Sequence, residues 1–196
     1  MRIDATSVSA VVLGAATTAA LLFNAAGVAD PSPPRIALAD NTVSVNPPAV
    51  AAGDGSLVDG QILTPFDVQN PAVGRLDPRL LDAVQQAASA ASADGITMTI
   101  TSGWRSAEFQ QRLLDSAVAQ YGSLAAAREY VQTPAASKHV VGEAVDVGGG
   151  VGADQWLMDN GARYGLCRIY ANEVWHFELA TDAAGACPPL LPNAAG

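Results

Sequence analysis

The chain has 196 residues, 49% hydrophobic and 15% charged, which suits one domain with a core plus additional length. Lys and Arg total 10 against 19 Asp and Glu, giving a net charge of −9. That balance excludes nucleic acid as the main partner, because phosphate binding needs a basic face, and it reads as a solubilising surface instead.

The N-terminus carries Arg2 and then an apolar run from Val8 to Val28 that is broken only by small polar residues and Asn24. Small residues from Ala25 to Ala29 follow, so residues 1–29 are expected to form a cleaved export signal or a membrane anchor. Either places the remaining chain outside the cytoplasm. Residues 30–62 contain Pro31, Pro33, Pro34, Pro47 and Pro48 without sustained periodicity, and read as a Pro/Ala/Gly-rich linker.

A folded domain is expected over residues 63–180. Asp77-Pro78 marks a helix entry, with Asp as N-cap and Pro at the first helical position. Leu80, Val84, Ala88 and Ala91 recur at helical spacing before Gly95. Ile96, Met98 and Ile100 then alternate with Thr97, Thr99 and Thr101, the pattern of a half-buried strand. Ser106 is expected to cap a helix through about Gln120, its inner face holding Phe109, Leu113 and Ala117, and a shorter helix should follow over Ser123–Val131. Glu143–Val147 reads as a strand closed by Gly148–Gly150, and Asp154–Asn160 as a helix ending at Gly161. Two further strands are expected at Cys167–Tyr170 and Val174–Leu179. Helices followed by short, mostly hairpin-linked strands define an α+β class rather than a doubly wound sheet. The glycine run is no phosphate loop, since no Lys-Ser/Thr follows it.

Cys167 and Cys187 are the only cysteines. In an exported protein they are expected to bridge and pin a tail over residues 181–196, contributing about 3 kcal/mol by loop-closure entropy; the alternative is two buried thiols.

Only two histidines occur, His139 and His176, and each lies close to carboxylates. Six residues separate His139 from Asp146, and His176 is available as a third ligand. A His₂Asp set with one open position suits a catalytic zinc, while two unrelated interior histidines remain the competing reading. Glu173, three residues before His176, is placed to take a proton from a reacting water. Glu143 and Lys138 read as solvated neighbours. Glu178 shares a strand face with His176 and is open to either a hydrogen bond with it or a surface role.

The pattern Ser137-x-His139-x-x-Gly142-x-Ala144-x-Asp146, followed by Glu173-x-Trp175-His176, resembles the VanY-like zinc D,D-carboxypeptidases, within the wider group of peptidoglycan peptidases. Ser102-Gly103-Trp104-Arg105-Ser106 is similar to that family's Ser-Gly-Tyr-Arg-Ser segment, with Trp replacing Tyr, and Gln110 falls where the family often carries Gln. Asn160-Gly161-Ala162-Arg163-Tyr164-Gly165-Leu166 is similar to its Asn-Gly-Phe-x-Tyr-Gly-Phe segment. The resemblance implies a small antiparallel sheet carrying a zinc site and packed against helices, as in hedgehog and D,D-peptidase folds. It implies His139, Asp146 and His176 as zinc ligands and Glu173 as general base and then acid. It also implies Arg105 as the grip on a terminal carboxylate, with Gln110 and Ser137 in supporting contacts and Trp175 packed to orient His176. Trp104 is expected in the core or the pocket wall. The implied activity is removal of terminal D-alanine from peptidoglycan stem peptides. L,D-carboxypeptidase, dipeptidase or endopeptidase action, or a non-catalytic wall-binding module, are the alternatives.

Overall fold

A computed structural model describes residues 53–58, 60–148 and 152–196. The expected signal or anchor (1–29), most of the expected linker (30–52 and residue 59) and Gly149–Gly150 lie outside the described residues. Among the described residues, no helix is long and apolar enough to cross a membrane.

The chain forms α1 (Pro71–Gly74), α2 (Pro78–Ala93), β1 (Thr99–Ser102), α3 (Ala107–Tyr121) and α4 (Leu124–Arg128). It continues through β2 (Ala144–Gly148), α5 (Ala153–Asn160), a 3-10 turn at Gly161–Tyr164, β3 (Leu166–Arg168) and β4 (His176–Leu179). Helix starts follow side-chain capping. Asp77, Ser106 and Ser123 each accept from an amide in the first turn, and Pro78 occupies a position whose amide has no helical partner. Gly122 ends α3 at φ +79°, a left-handed conformation that glycine adopts without strain.

The four strands form one antiparallel sheet in the order β1-β2-β4-β3. Among these pairs, β3 and β4 alone are joined without an intervening helix. β1 and β2 pair across a helical excursion containing α3 and α4, so the expectation of mostly hairpin-linked strands is corrected, while the α+β class stands. Regular pairing in β1 begins at Thr99 rather than Ile96, although Met98 and Ile100 are buried and Thr97 and Thr101 exposed, as the alternation requires.

One sheet face supplies the core. Ile100, Val145, Val147 and Phe177 pack with Leu80, Val84, Ala87 and Ala91 of α2 and with Leu157 of α5. Burying each Val, Leu, Ile or Phe contributes roughly 1.5–3 kcal/mol, and the small alanines of α2 add little area individually. A second cluster joins Leu114 and Ala117 of α3 to Ala127 of α4. Leu114 therefore takes the core position expected of Leu113, one residue along the helix, and Leu113 faces the cavity described below.

Ordered structure also reaches upstream of the expected domain start at 63. Buried Asp54 accepts from Ser56 and from Arg112 of α3, and its carbonyl receives the amide of Ser106. A Cβ on Gly55 would lie 2.0 Å from the Trp104 carbonyl oxygen. The tail is fixed as well, through a disulfide between Cys167 in β3 and Cys187.

Candidate metal centre and active site

Sheet register assembles the site. Asp146 of β2 and His176 of β4 are direct cross-strand partners, so their side chains share one face, while their neighbours Val145 and Phe177 point to the core. Ala144 pairs with Glu178 on that same face two residues along. A register irregularity between Ile100 and Ser102 sets Ser102 against Asp146.

His139 comes from the turn that precedes β2. Its Nδ1 lies 2.8 Å from the carbonyl oxygen of Gly103, just after β1. Glycine is required at 103, because a Cβ there would approach the Ala72 carbonyl oxygen to 2.0 Å. Gly142, at φ +75°, turns the chain from His139 into β2, and a Cβ there would meet the Arg75 carbonyl oxygen at 2.6 Å.

His139, Asp146 and His176 each present one ligand atom, all within 4.8 Å of one another, and all three residues are buried. His139 Nε2 and His176 Nδ1 lie 3.3 and 3.1 Å from the same Asp146 oxygen, Oδ1. Ligands about 2.1 Å from a tetrahedral zinc would be separated by about 3.4 Å, so this spacing fits such an ion. Protonation chemistry gives a second test. A carbonyl only accepts, so His139 Nδ1 donates to Gly103, and burial lowers the histidine's pKa. Its neutral Nε2 then turns a lone pair toward a carboxylate oxygen, a repulsive contact that a cation between them would convert into attraction.

The surrounding groups reinforce this arrangement. Burial opposes charge on His176, but hydrogen bonds to Asp146 and Glu178 outweigh it and push its pKa up to about 9. Its Nε2 lies 3.0 Å from Glu178 Oε1. Asp146 is also buried, yet His139, His176 and Arg105 hold it well below the usual carboxylate range. Arg105 donates from Nε to Ser102 at 2.8 Å, from Nη1 to Gln110 at 3.1 Å and from Nη2 to Asp146 Oδ2 at 2.9 Å. These bonds use three of the five guanidinium N–H groups and leave two for a ligand.

Glu173 is the unusual member. It stands in a turn closed by the His176 amide on the Glu173 carbonyl at 3.4 Å, rather than next to a strand beginning at Val174. Its Oε2 is 3.8 Å from His176 Nδ1, and its buried Oε1 has no hydrogen-bond partner. Burial pushes its pKa up to about 7. A buried carboxylate oxygen without a partner is costly and is typical of a group kept free to handle a proton.

These groups line a cavity of about 210 Å³ that contains Arg105, Gln110, Ser137, His139, Asp146, Glu173 and His176. All seven residues singled out in the sequence thus converge. Gln110, only 1% exposed, reaches Arg105 with Oε1 and donates from Nε2 to the Gln132 carbonyl at 2.8 Å. Lys138 and Glu143 form an exposed ion pair at 2.7 Å.

Two aromatic expectations are corrected. Trp175 is 43% exposed, whereas the ring beside His176 is Tyr170, with centroids 5.1 Å apart. Trp104 is outside the cavity lining and lies under the Arg75 guanidinium, 4.4 Å from its ring centroid. Sequence reasoning missed Tyr170, Gln132 and Ala194 as cavity residues; no motif marks them, and they arrive through long-range packing.

A His/Asp/His donor set on a sheet face, with a buried unpartnered carboxylate and an arginine alongside, is the equipment of a hydrolytic metal centre. The chain belongs to the VanY D-alanyl-D-alanine carboxypeptidase family, whose sequence model matches residues 74–180. It is 32% identical over 127 residues to a D-alanyl-D-alanine carboxypeptidase of Enterococcus faecalis, a match covering 53% of this chain and 47% of that protein. The chain therefore spans about half the length of this curated relative.

Among solved structures it is similar to a mutant vancomycin resistance D,D-pentapeptidase VanY from a VanB-type resistance cassette, in complex with Zn(II). That match has TM-score 0.50 and 32% identity, over 53% of this chain and 71% of the other. It is also similar to VanYB in complex with D-alanine-D-alanine, with TM-score 0.50 and 31% identity over 53% of this chain and 70% of that one. The LdcB LD-carboxypeptidase, at 24% identity and TM-score 0.50 over 56% of this chain and 61% of its own, shares the fold.

Proposed function

We propose that this chain is an exported, zinc-dependent D-alanyl-D-alanine carboxypeptidase that removes terminal D-alanine from peptidoglycan stem peptides. The observation that carries the reading is Glu173, a buried carboxylate with an unpartnered oxygen, in one cavity with a convergent His/Asp/His set. The zinc and D-alanine-D-alanine complexes of similar proteins support the metal and the substrate class. The disulfide and the apolar N-terminal run support export.

His139 Nε2, Asp146 Oδ1 and His176 Nδ1 would hold the metal. When bound, zinc supplies Lewis acidity toward the scissile carbonyl and makes water acidic enough to react near neutral pH. Gly103 and Glu178 keep the two imidazoles oriented by binding their other nitrogens. Arg105 presents its two remaining N–H groups to the terminal carboxylate, restricting cleavage to the last residue. Glu173 takes the proton of the attacking water. It returns that proton to the amine nitrogen as the peptide C–N bond breaks, so the carboxylate is regenerated.

Product analysis on defined stem peptides tests the reading. A pentapeptide ending in D-Ala-D-Ala should yield free D-alanine and the tetrapeptide. Release of the dipeptide, or cleavage of the tetrapeptide alone, would assign another bond specificity.

A further inference from the structure

The segment after Ala180 lies beyond the family match at residue 180, yet it builds part of the active-site cavity. It makes a turn in which Asp182 Oδ1 accepts the amides of Ala184 and Ala186, then reaches Cys187 and its disulfide to β3. Leu191 next runs parallel to Tyr170, donating to the Ile169 carbonyl at 2.9 Å and accepting from Ala171 at 2.8 Å. Beyond it, Ala194 donates to the Glu129 carbonyl at 3.4 Å, just after α4, and its own carbonyl accepts from Gln132 Nε2. The segment is therefore a strap anchored in β3 and again beside α4, and Ala194 lines the same cavity as Arg105 and Glu173.

Hydrogen bonds connect the strap to the arginine. Gln132 holds the Ala194 carbonyl with its side chain, while its own carbonyl accepts from Gln110 Nε2. Gln110 Oε1 in turn accepts from Arg105 Nη1. Ala194 is thus tied to the group assigned to the terminal carboxylate, and the side chain nearest that carboxylate belongs to the leaving amino acid. Ala194, whose side chain is a single methyl group, is buried and is one of the residues lining the cavity of about 210 Å³.

We propose that the disulfide-anchored strap, through Ala194 held by Gln132, bounds the space for the terminal D-amino acid and restricts it to a small side chain. The proposal rests on the carboxypeptidase reading and deepens it by naming what selects the leaving residue. A rigid wall excludes larger side chains by overlap, without any direct part in the chemistry.

The test uses the full chain, zinc-loaded, with stem peptides ending in D-Ala, D-Ser and D-Leu. Three forms are compared: native, a deletion of residues 193–196 that leaves the disulfide and the Leu191 pairing in place, and Ala194→Phe, which keeps the backbone. The ratio of kcat/KM for D-Ala over D-Leu should fall about tenfold on deletion, and Ala194→Phe should raise KM for D-Ala about tenfold with kcat little changed. Peptide Kd values in a Glu173→Gln background, where the peptides persist, should follow the same order. Unchanged terminal-residue discrimination in both variants would overturn the strap proposal, as would a fall in kcat alone. If the native chain releases no terminal residue while the Kd ratios still shift, the activity reading fails and the strap proposal stands.

Discussion

Removing the Glu178 carboxylate should weaken metal binding without disturbing the fold. Glu178 Oε1 lies 3.0 Å from His176 Nε2, on the side of the ring away from Asp146, and its side chain is largely buried. With Nε2–H held by a carboxylate, the Nδ1 lone pair is committed to the cavity; without it, the imidazole gains a competing tautomer and a competing rotation. A hydrogen bond to a charged group contributes about 1.5–3 kcal/mol, and each 1.4 kcal/mol is a factor of ten in affinity. Glu178→Ala should therefore raise the zinc Kd roughly 10- to 100-fold, as expected for loss of a carboxylate behind a histidine ligand. Glu178→Gln keeps an acceptor but no charge, and should fall between native and alanine. Competition against a chromogenic chelator reads the Kd directly, with thermal unfolding of the metal-free proteins as the check on folding. Native affinity in a folded Glu178→Ala would refute the argument that this carboxylate fixes the ligand tautomer.

Other predictions follow from the same geometry. Glu173→Gln should retain zinc while slowing peptide hydrolysis by about 10²–10⁴-fold, read by metal analysis alongside kcat. Because burial holds Glu173 up to about 7, the carboxyl is protonated and inactive as a base at lower pH. kcat/KM should fall as pH drops through a limb no higher than about 7, since a bound cation lowers this pKa further, and a basic-side rise with its midpoint well above about 7, or a kcat/KM that increases as pH falls, would contradict the assignment. Asp54→Ala should destabilise the protein by about 1–3 kcal/mol at pH 7 by stripping Ser56 and Arg112 of their acceptor, read by urea unfolding. Burial opposes the Asp54 charge, but the Ser56 and Arg112 bonds lower its pKa in the folded state. Its contribution is present above the unfolded value of about 3.9 and disappears as pH falls through the lower folded value, so the mutant and native stabilities should converge there.

Much of the site was readable because its ligands are sparse and its spacings are short. Two histidines and the Ser-x-His-x-x-Gly-x-Ala-x-Asp run define one turn and one strand, and the Gly142 backbone is needed to join them. Helix starts were likewise legible at Asp77, Ser106 and Ser123, where capping is a local side-chain property. What was not legible depends on pairing between distant residues. The exchange of Leu113 for Leu114 in the core follows from where α4 packs on α3, and helical periodicity tolerates either. The β1–β2 partnership spans the excursion through α3 and α4, so no hairpin signal marks it. Asp54 lies in a stretch whose composition resembles a linker, and only its contacts with Ser106 and Arg112 show that it is structured. Trp175 was expected against His176, but the Glu173–His176 turn leaves Trp175 exposed and Tyr170 beside the histidine.

The central claim is a metal-dependent release of terminal D-alanine, and one titration tests it most directly. The purified chain is stripped with a chelator and titrated with zinc while D-alanine release from a stem pentapeptide is followed. The account predicts no release from the stripped protein and full recovery at one zinc per chain, with the same titration in His176→Ala giving none. Undiminished release from the stripped protein, or full recovery in His176→Ala, would contradict it.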